Sequence, residues 1–164
     1  MNVVEVRIER LQVSDAPALA AFYNKLSPAS KRTFRPVGET TTDEVCRHIA
    51  IGNAGPLSTK YDVVAWQGDD VVGWSFIWNL HEPEPVFGLA VADACQRTGL
   101  GTKLMTAVMA WAREQELPRV ELTVVTDNVI AQHLYEKQGF IGYGEFVGED
   151  GLSYYRMRLD VQDL

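Results

Sequence analysis

Cysteine is scarce in this 164-residue chain: Cys46 and Cys95 are its only two. That is too few for the disulfide framework of a small secreted domain. The three histidines, His48, His81 and His133, are scattered, so no cysteine–histidine metal cluster can be assembled and no metal is expected. No apolar run approaches membrane-spanning length, and the opening Asn2-Val3-Val4-Glu5 has no basic flank, so no membrane partner is expected and a cytoplasmic location is the default. A basic excess is missing too. The formal net charge of -7 argues against a nucleic-acid partner. It is compatible with a cationic substrate, and equally with the ordinary solubility of an acidic protein. Low-complexity tracts, repeats and linker-like stretches are absent, and a hydrophobic content of 46% supplies the core of one domain, expected over residues 1–164.

What is present reads as alternating strands and helices. Val3 to Leu11 alternates apolar and charged residues, the pattern of a half-buried strand. Ser14 and Asp15 offer caps, and Leu19, Phe22, Tyr23 and Leu26 follow at helical spacing, which predicts a helix over Ala16 to Lys25. Ser27 to Thr40 is a polar connection, readable as the lining of a substrate pocket or as a surface link. Thr41 and Glu44 have the spacing of a capping box for a second helix with Val45, Cys46 and Ile49 as its apolar face. Strands are expected at Tyr61 to Gln67, Val71 to Asn79, Val86 to Val91, Val120 to Thr126, Phe140 to Phe146 and Ser153 to Leu159, with Gly68-Asp69-Asp70 and Glu149-Asp150-Gly151 as turns. Helices are expected from the glycine turn to about Gln115, and around Ala131 to Tyr135. Together these predict an α/β (α+β) fold: a mixed, mostly antiparallel twisted sheet of about seven strands with about four helices on both faces.

One stretch carries chemistry. The apolar run Val86 to Val91 leads into Gln96-Arg97-Thr98-Gly99-Leu100-Gly101 and then a helical pattern. Strand, glycine turn and helix form an anion cradle, because the first amides of a helix lack internal partners and its dipole favours negative charge there. The turn is not the dinucleotide fingerprint, since Leu104 stands where a third glycine is needed. It is not a P-loop either, since the order is Gly101-Thr102-Lys103.

With these residues in hand, the chain resembles the GCN5-related N-acetyltransferase (GNAT) superfamily. The turn Gln96 to Gly101 matches the family's Gln/Arg-x-x-Gly-x-Gly/Ala. Asn128, Ala131 and the run Leu134-Tyr135-Glu136-Lys137-Gln138-Gly139-Phe140 match its second hallmark. The resemblance implies acetyl-CoA as co-substrate. Its pyrophosphate would rest on the turn, at Gln96, Arg97, Thr98, Gly99, Leu100, Gly101 and Thr102, and its pantetheine arm would lie beside the strand ending at Val91. A backbone amide near Val91 would polarise the thioester. Asn128 would lie near the pantetheine or serve as a plain helix cap. Tyr135 would lie near the sulfur as a general acid. Lys137 is a phosphate contact or a solvated lysine.

The implied reaction is direct attack of a neutral amine on the thioester. Many relatives carry a glutamate in or beside the fourth strand, and Val86 to Val91 holds no acid. Glu84 is the preferred candidate base, with Glu82, His81, Glu121 or water as alternatives. Cys95 reads as a small turn residue in preference to a covalent nucleophile. The acceptor would meet the Ser27 to Thr40 loop and the C-terminal hairpin with Tyr143, Tyr154, Tyr155, Glu145, Glu149 and Asp150. The leading reading is acetyl transfer to a primary amine of a small molecule. The alternatives are a protein or peptide N-acetyltransferase, and a non-catalytic acyl-CoA-binding regulatory module. A homodimer is expected from the resemblance alone.

Overall fold

In the computed structural model, which describes residues 5–163, the apolar runs form seven strands in one sheet. They are β1 (Val6–Arg10), β2 (Lys60–Gln67), β3 (Asp70–Trp78), β4 (Val86–Val91), β5 (Arg119–Val125), β6 (Ile141–Val147) and β7 (Ser153–Asp160), in the order β1-β2-β3-β4-β5-β7-β6. Every neighbouring pair is antiparallel except β4 and β5. The helices are α1 (Ala16–Lys25), α2 (Pro28–Thr33), α3 (Asp43–Ile51), α4 (Leu100–Glu114) and α5 (Val129–Lys137). The predicted α/β class and strand count agree with this; the helix count is one higher because of α2.

Both faces of the sheet are covered, which is why its middle strands read as continuous apolar runs. On one face α4 lays Leu104, Met105, Val108 and Ala112 over Val63, Ala65, Phe87, Val120 and Leu122. On the other, α1 and α3 press Leu19, Phe22, Tyr23, Cys46 and Ile49 against Val64, Trp74 and Phe76. Gly88 is a packing requirement within β4. It faces Phe76 across the ladder, and a Cβ there would run into the Phe76 ring, itself stacked on Trp78 at 4.1 Å between centroids. Gly88→Ala is expected to cost about 1–3 kcal/mol, the usual range for overpacking. Thermal denaturation checks this: a fall in Tm of several degrees is expected, and an unchanged Tm would mean the ring moves aside freely.

Several sequence expectations need correction. Val3 and Val4, placed in the first strand, lie outside the described residues, and β1 begins at Val6. The cap of α3 is Thr42, whose hydroxyl accepts from Val45 N at 3.2 Å, and not Thr41. Thr41 is buried, with its hydroxyl beside Cys46 Sγ. This shift turns Val45 outward and gives the buried face to Cys46, Ile49 and Ala50. The polar link after Leu26 contains α2, with Pro28 in its first turn and Ser27 as cap, accepting from Ser30 N at 3.1 Å. Tyr155 keeps to its alternation in β7 yet is exposed, because β6 and β7 form the uncovered end of the sheet.

Candidate active site

The site begins where the sheet parts. Glu121 N donates to Pro85 O at 2.8 Å, and Val86 opposite Glu121 is the one paired position between β4 and β5. Beyond it the strands diverge. Along β4, Gly88 O accepts from Ser75 Oγ at 3.0 Å and the following Ala92 N bonds Val72 O at 2.8 Å, so even-numbered residues face β3. By alternation, Leu89 and Val91 turn their amides and carbonyls into the gap. The gap opens into a cleft of about 690 Å³ walled by Leu89 and Val91 on one side and Thr123 and Val124 on the other.

The glycine turn closes the head of this cleft. Arg97 (φ 62) and Gly99 (φ 86) both hold left-handed backbone. Alternating left- and right-handed residues bring successive amides to one side, an anion-binding concavity. Gly99 suits its place because glycine takes this φ without the backbone strain an L side chain incurs there. The first bond closing inside α4 is Lys103 N to Gly99 O at 3.2 Å, and no side chain caps the helix. The amides of Leu100, Gly101 and Thr102 are therefore available to a phosphate. The Leu100 side chain is core, and the Thr98 hydroxyl is spent on Cys95 O at 2.6 Å. Gln96 is used internally: its Nε2 donates to Val91 O at 3.2 Å, Ser30 Oγ at 3.1 Å and Asp93 Oδ1 at 3.3 Å. The residues present thus fit a pyrophosphate-bearing carrier chiefly through backbone.

Val91, Gln96, Arg97, Gly101, Asn128 and Tyr135 all line the cleft. Asn128 caps α5, its Oδ1 accepting from Ala131 N at 3.3 Å, and also lines the cleft. Tyr135 stands edge-on to Phe87, with centroids 6.0 Å apart, and next to Phe140 at 6.2 Å. Its side chain is half-buried in the wall of the cleft. Burial alone pushes its pKa up to about 12. Among the described residues that hydroxyl has no hydrogen-bond partner.

The acids fall elsewhere than expected. Glu84, with Glu82 and His81, is exposed on the link before β4 and lines none of the clefts described here. The cause is the Pro85–Glu121 bond, which closes the gap at that end and leaves Glu84 beyond it. Glu121 is buried and accepts from the Tyr143 hydroxyl at 2.8 Å. The carboxylates that do line the cleft are Asp93 and Asp127. Hydrogen bonds from Ser30 and Ser27 hold Asp93 below the usual carboxylate range, and the Arg32 guanidinium does the same to Asp127. Neither is suited to take a proton near neutral pH.

A second cleft of about 510 Å³ shares Arg32, Thr33 and Thr123 with the first and is walled by Phe34, Phe146 and Tyr154. A third of about 540 Å³ shares Arg32, Arg35 and Asp150 with the second. Sequence reasoning did not foresee the roles of Arg32, Ser30, Asp93 and Thr123. Ser30 and Asp93 are 63 residues apart and Arg32 and Asp127 are 95 apart, so no local pattern links them. Thr123 carried one faint signal, a polar residue inside an apolar strand. Among the described residues no group of three or more His, Cys, Asp or Glu is placed to hold a metal ion, and no helix is long and apolar enough to cross a membrane.

Comparison with known proteins bears on this geometry. Over 84 residues the chain is 32% identical to a ribosomal protein bS18-alanine N-acetyltransferase of Haemophilus ducreyi, covering 51% of this chain and 55% of that one. Over 75 residues it is 35% identical to a 5-NmdU N-acetyltransferase of Pseudomonas phage PaMx11, covering 45% and 51%. The matched stretches span about half the length of these relatives. In fold it superposes with a TM-score of 0.78 on a Salmonella typhimurium structure solved with its cofactor acetyl-CoA, at 18% identity and covering 95% and 94% of the two chains. The profile of the Acetyltransferase (GNAT) family matches residues 20–140, which hold the parted strands, the glycine turn and Tyr135, and the chain belongs to that family.

Proposed function

We propose that the protein is an acetyl-CoA-dependent N-acetyltransferase whose acceptor is the free α-amine of a peptide or protein. The observation that carries the donor side is the gap between β4 and β5, with the Leu89 backbone and the Val91 amide turned into it and the glycine turn at its head. Acetyl-CoA supplies an activated acyl group, whose transfer breaks the carbon–sulfur bond, forms a carbon–nitrogen bond and releases a thiol. Leu100, Gly101 and Thr102 amides would hold the pyrophosphate. A β4 amide, Leu89 or Val91, would donate to the oxygen that gains charge. Tyr135 holds a proton at its hydroxyl and would present it to the departing sulfur. Water would carry off the proton of the attacking amine.

The acceptor reading rests on chemistry where the first two clefts meet. Arg32, Thr33 and Thr123 are what the two share, and none is a base. An α-amine, with a pKa of about 7.7–8.0, is substantially neutral at physiological pH, whereas an alkyl amine near 10.4 is neutral about once in a thousand molecules. Asp93, Asp127 and Asp150, which line these two clefts, are all held below the usual carboxylate range by their hydrogen bonds, so none of the three is suited as a base and the α-amine is favoured. The chain of three clefts also leaves room for the residues that follow it, and the name of the Haemophilus relative agrees. The small-molecule reading retains the support of the phage relative's name.

Thiol release across an acceptor panel tests the proposal. Peptides with a free N-terminus are expected to react, with kcat/KM rising with pH and levelling off above about pH 8. Peptides with a blocked N-terminus and a free lysine are expected not to react. Glu84→Gln is expected to leave the pH profile unchanged. Release with polyamines or amino sugars alone would overturn the peptide reading, and tight acetyl-CoA binding without release to any amine would favour a binding module.

A further inference from the structure

α2 occupies an unusual position. None of its residues is buried. The chain enters the core just before it, at Leu26, and again just after it, at Phe34, whose ring meets Trp74 at 5.5 Å and Phe76 at 6.0 Å between centroids. Between those anchors the helix is held by polar contacts to both walls of the donor cleft. On the β4 wall, Asp93 accepts from Ser27 N at 3.0 Å and Ser30 Oγ at 2.5 Å, and Gln96 Nε2 joins Ser30 Oγ at 3.1 Å. On the β5 wall, Arg32 makes a two-point contact with Asp127, at 3.1 and 3.0 Å. The parallel bonds of a guanidinium on a carboxylate fix orientation as well as distance.

We propose that α2 is a latched strap across the mouth of the donor cleft, and that Arg32 and Asp127 are positioning residues that set how fast the acyl carrier enters and leaves. Arg32 is the side chain common to all three clefts, so the pair that fixes it also fixes the partition between donor and acceptor sides. An exposed ion pair is a weak fastening. A strap held this way opens readily, as a cleft that must load and release a carrier in each turnover requires. The strap role rests on the acetyl-CoA reading only for what passes beneath it.

The test compares the wild type with Arg32→Ala, Asp127→Ala, the double variant, and the exchanged pair Arg32→Asp/Asp127→Arg. Acetyl-CoA dissociation is followed by stopped-flow chase, and amide exchange across residues 28–33 is followed by mass spectrometry in the free protein. Each single variant is expected to speed dissociation about fivefold, the double no further, and the exchanged pair to return to within about twofold of wild type. Protection of the α2 amides is expected to fall in both single variants. Single variants that leave dissociation and exchange unchanged would overturn the proposal, as would single effects that multiply in the double. A protein that binds no acetyl-CoA would sink the donor reading instead, and exchange in the free protein would still decide whether the latch holds α2.

Discussion

Tyr135→Phe is expected to lower kcat about 10²- to 10³-fold, the usual loss when one donor to a developing charge is removed. Acetyl-CoA affinity should stay within about twofold, because the phenyl ring keeps its edge contact with Phe87 and its place beside Phe140. The direction follows from the surroundings of the hydroxyl. Burial raises its pKa to about 12, so the phenol is protonated throughout the working range. It has no protein partner among the described residues to compete for that proton. A thiol near 8.5 is the stronger acid, so complete transfer from Tyr135 is uphill. In the proposed reaction the phenol would act first as a hydrogen-bond donor to sulfur as charge builds there, and the proton would follow once solvent re-enters. Two measurements separate this from a packing role. The kcat of the wild type should show no downward limb assignable to Tyr135 below about pH 11. Steady-state kinetics of Tyr135→Phe should show kcat falling with the KM for acetyl-CoA held. A variant with unchanged kcat would remove Tyr135 from the chemistry, and one that fails only by weaker binding would make it a wall.

How much of this was legible in the sequence follows the range of each interaction. The glycine turn, β4 and the Tyr135 segment were readable because their signals are local: a backbone conformation that needs glycine at Gly99, an apolar run at Val86 to Val91, and a short motif around Leu134 to Phe140. α1 was placed to the residue, since proline in its first turn and a lysine in its last mark both ends. Glu84 is one of the acids that flank β4 closely in sequence, Glu82 and Asp93 being the others. Its position is set by the Pro85–Glu121 bond, a pairing of residues 36 apart that leaves Glu84 outside the gap. α2 was hidden for a related reason. It is short and has no apolar face, so periodicity is silent, and its fastenings to Asp93 and Asp127 are made only when the sheet has brought both walls together.

Asp62 escaped notice entirely, and its removal is expected to have the largest effect on stability. It lies in β2, fully buried, and its carboxylate is met by donors alone: Asn53 Nδ2 at 2.9 Å, Trp74 Nε1 at 2.7 Å and Trp78 Nε1 at 3.1 Å. Asn53 answers by accepting from Asp62 N at 2.6 Å, which ties the end of α3 to β2. Asp62→Ala orphans these donors and is expected to cost about 3–5 kcal/mol, or about 10 °C in Tm. Trp74 also supports Phe34, which walls the second cleft, so acceptor KM should rise before the fold is lost. Acidification distinguishes two opposing forces on this group. Burial raises the carboxyl from its ordinary 3.8 to about 6 even though the three donors oppose the rise. The native state then binds a proton more tightly than the unfolded chain. The stability gained from that proton is fully present below pH 3.8 and is lost as pH rises through about 6. At about 1.4 kcal/mol for each pH unit between the two pKa values, the wild type should gain about 2 kcal/mol over Asp62→Asn between pH 7 and pH 4. Urea unfolding of both proteins at the two pH values measures this difference. A margin that narrows on acidification would mean that the indole and amide donors outweigh burial and hold Asp62 ionised below its ordinary pKa.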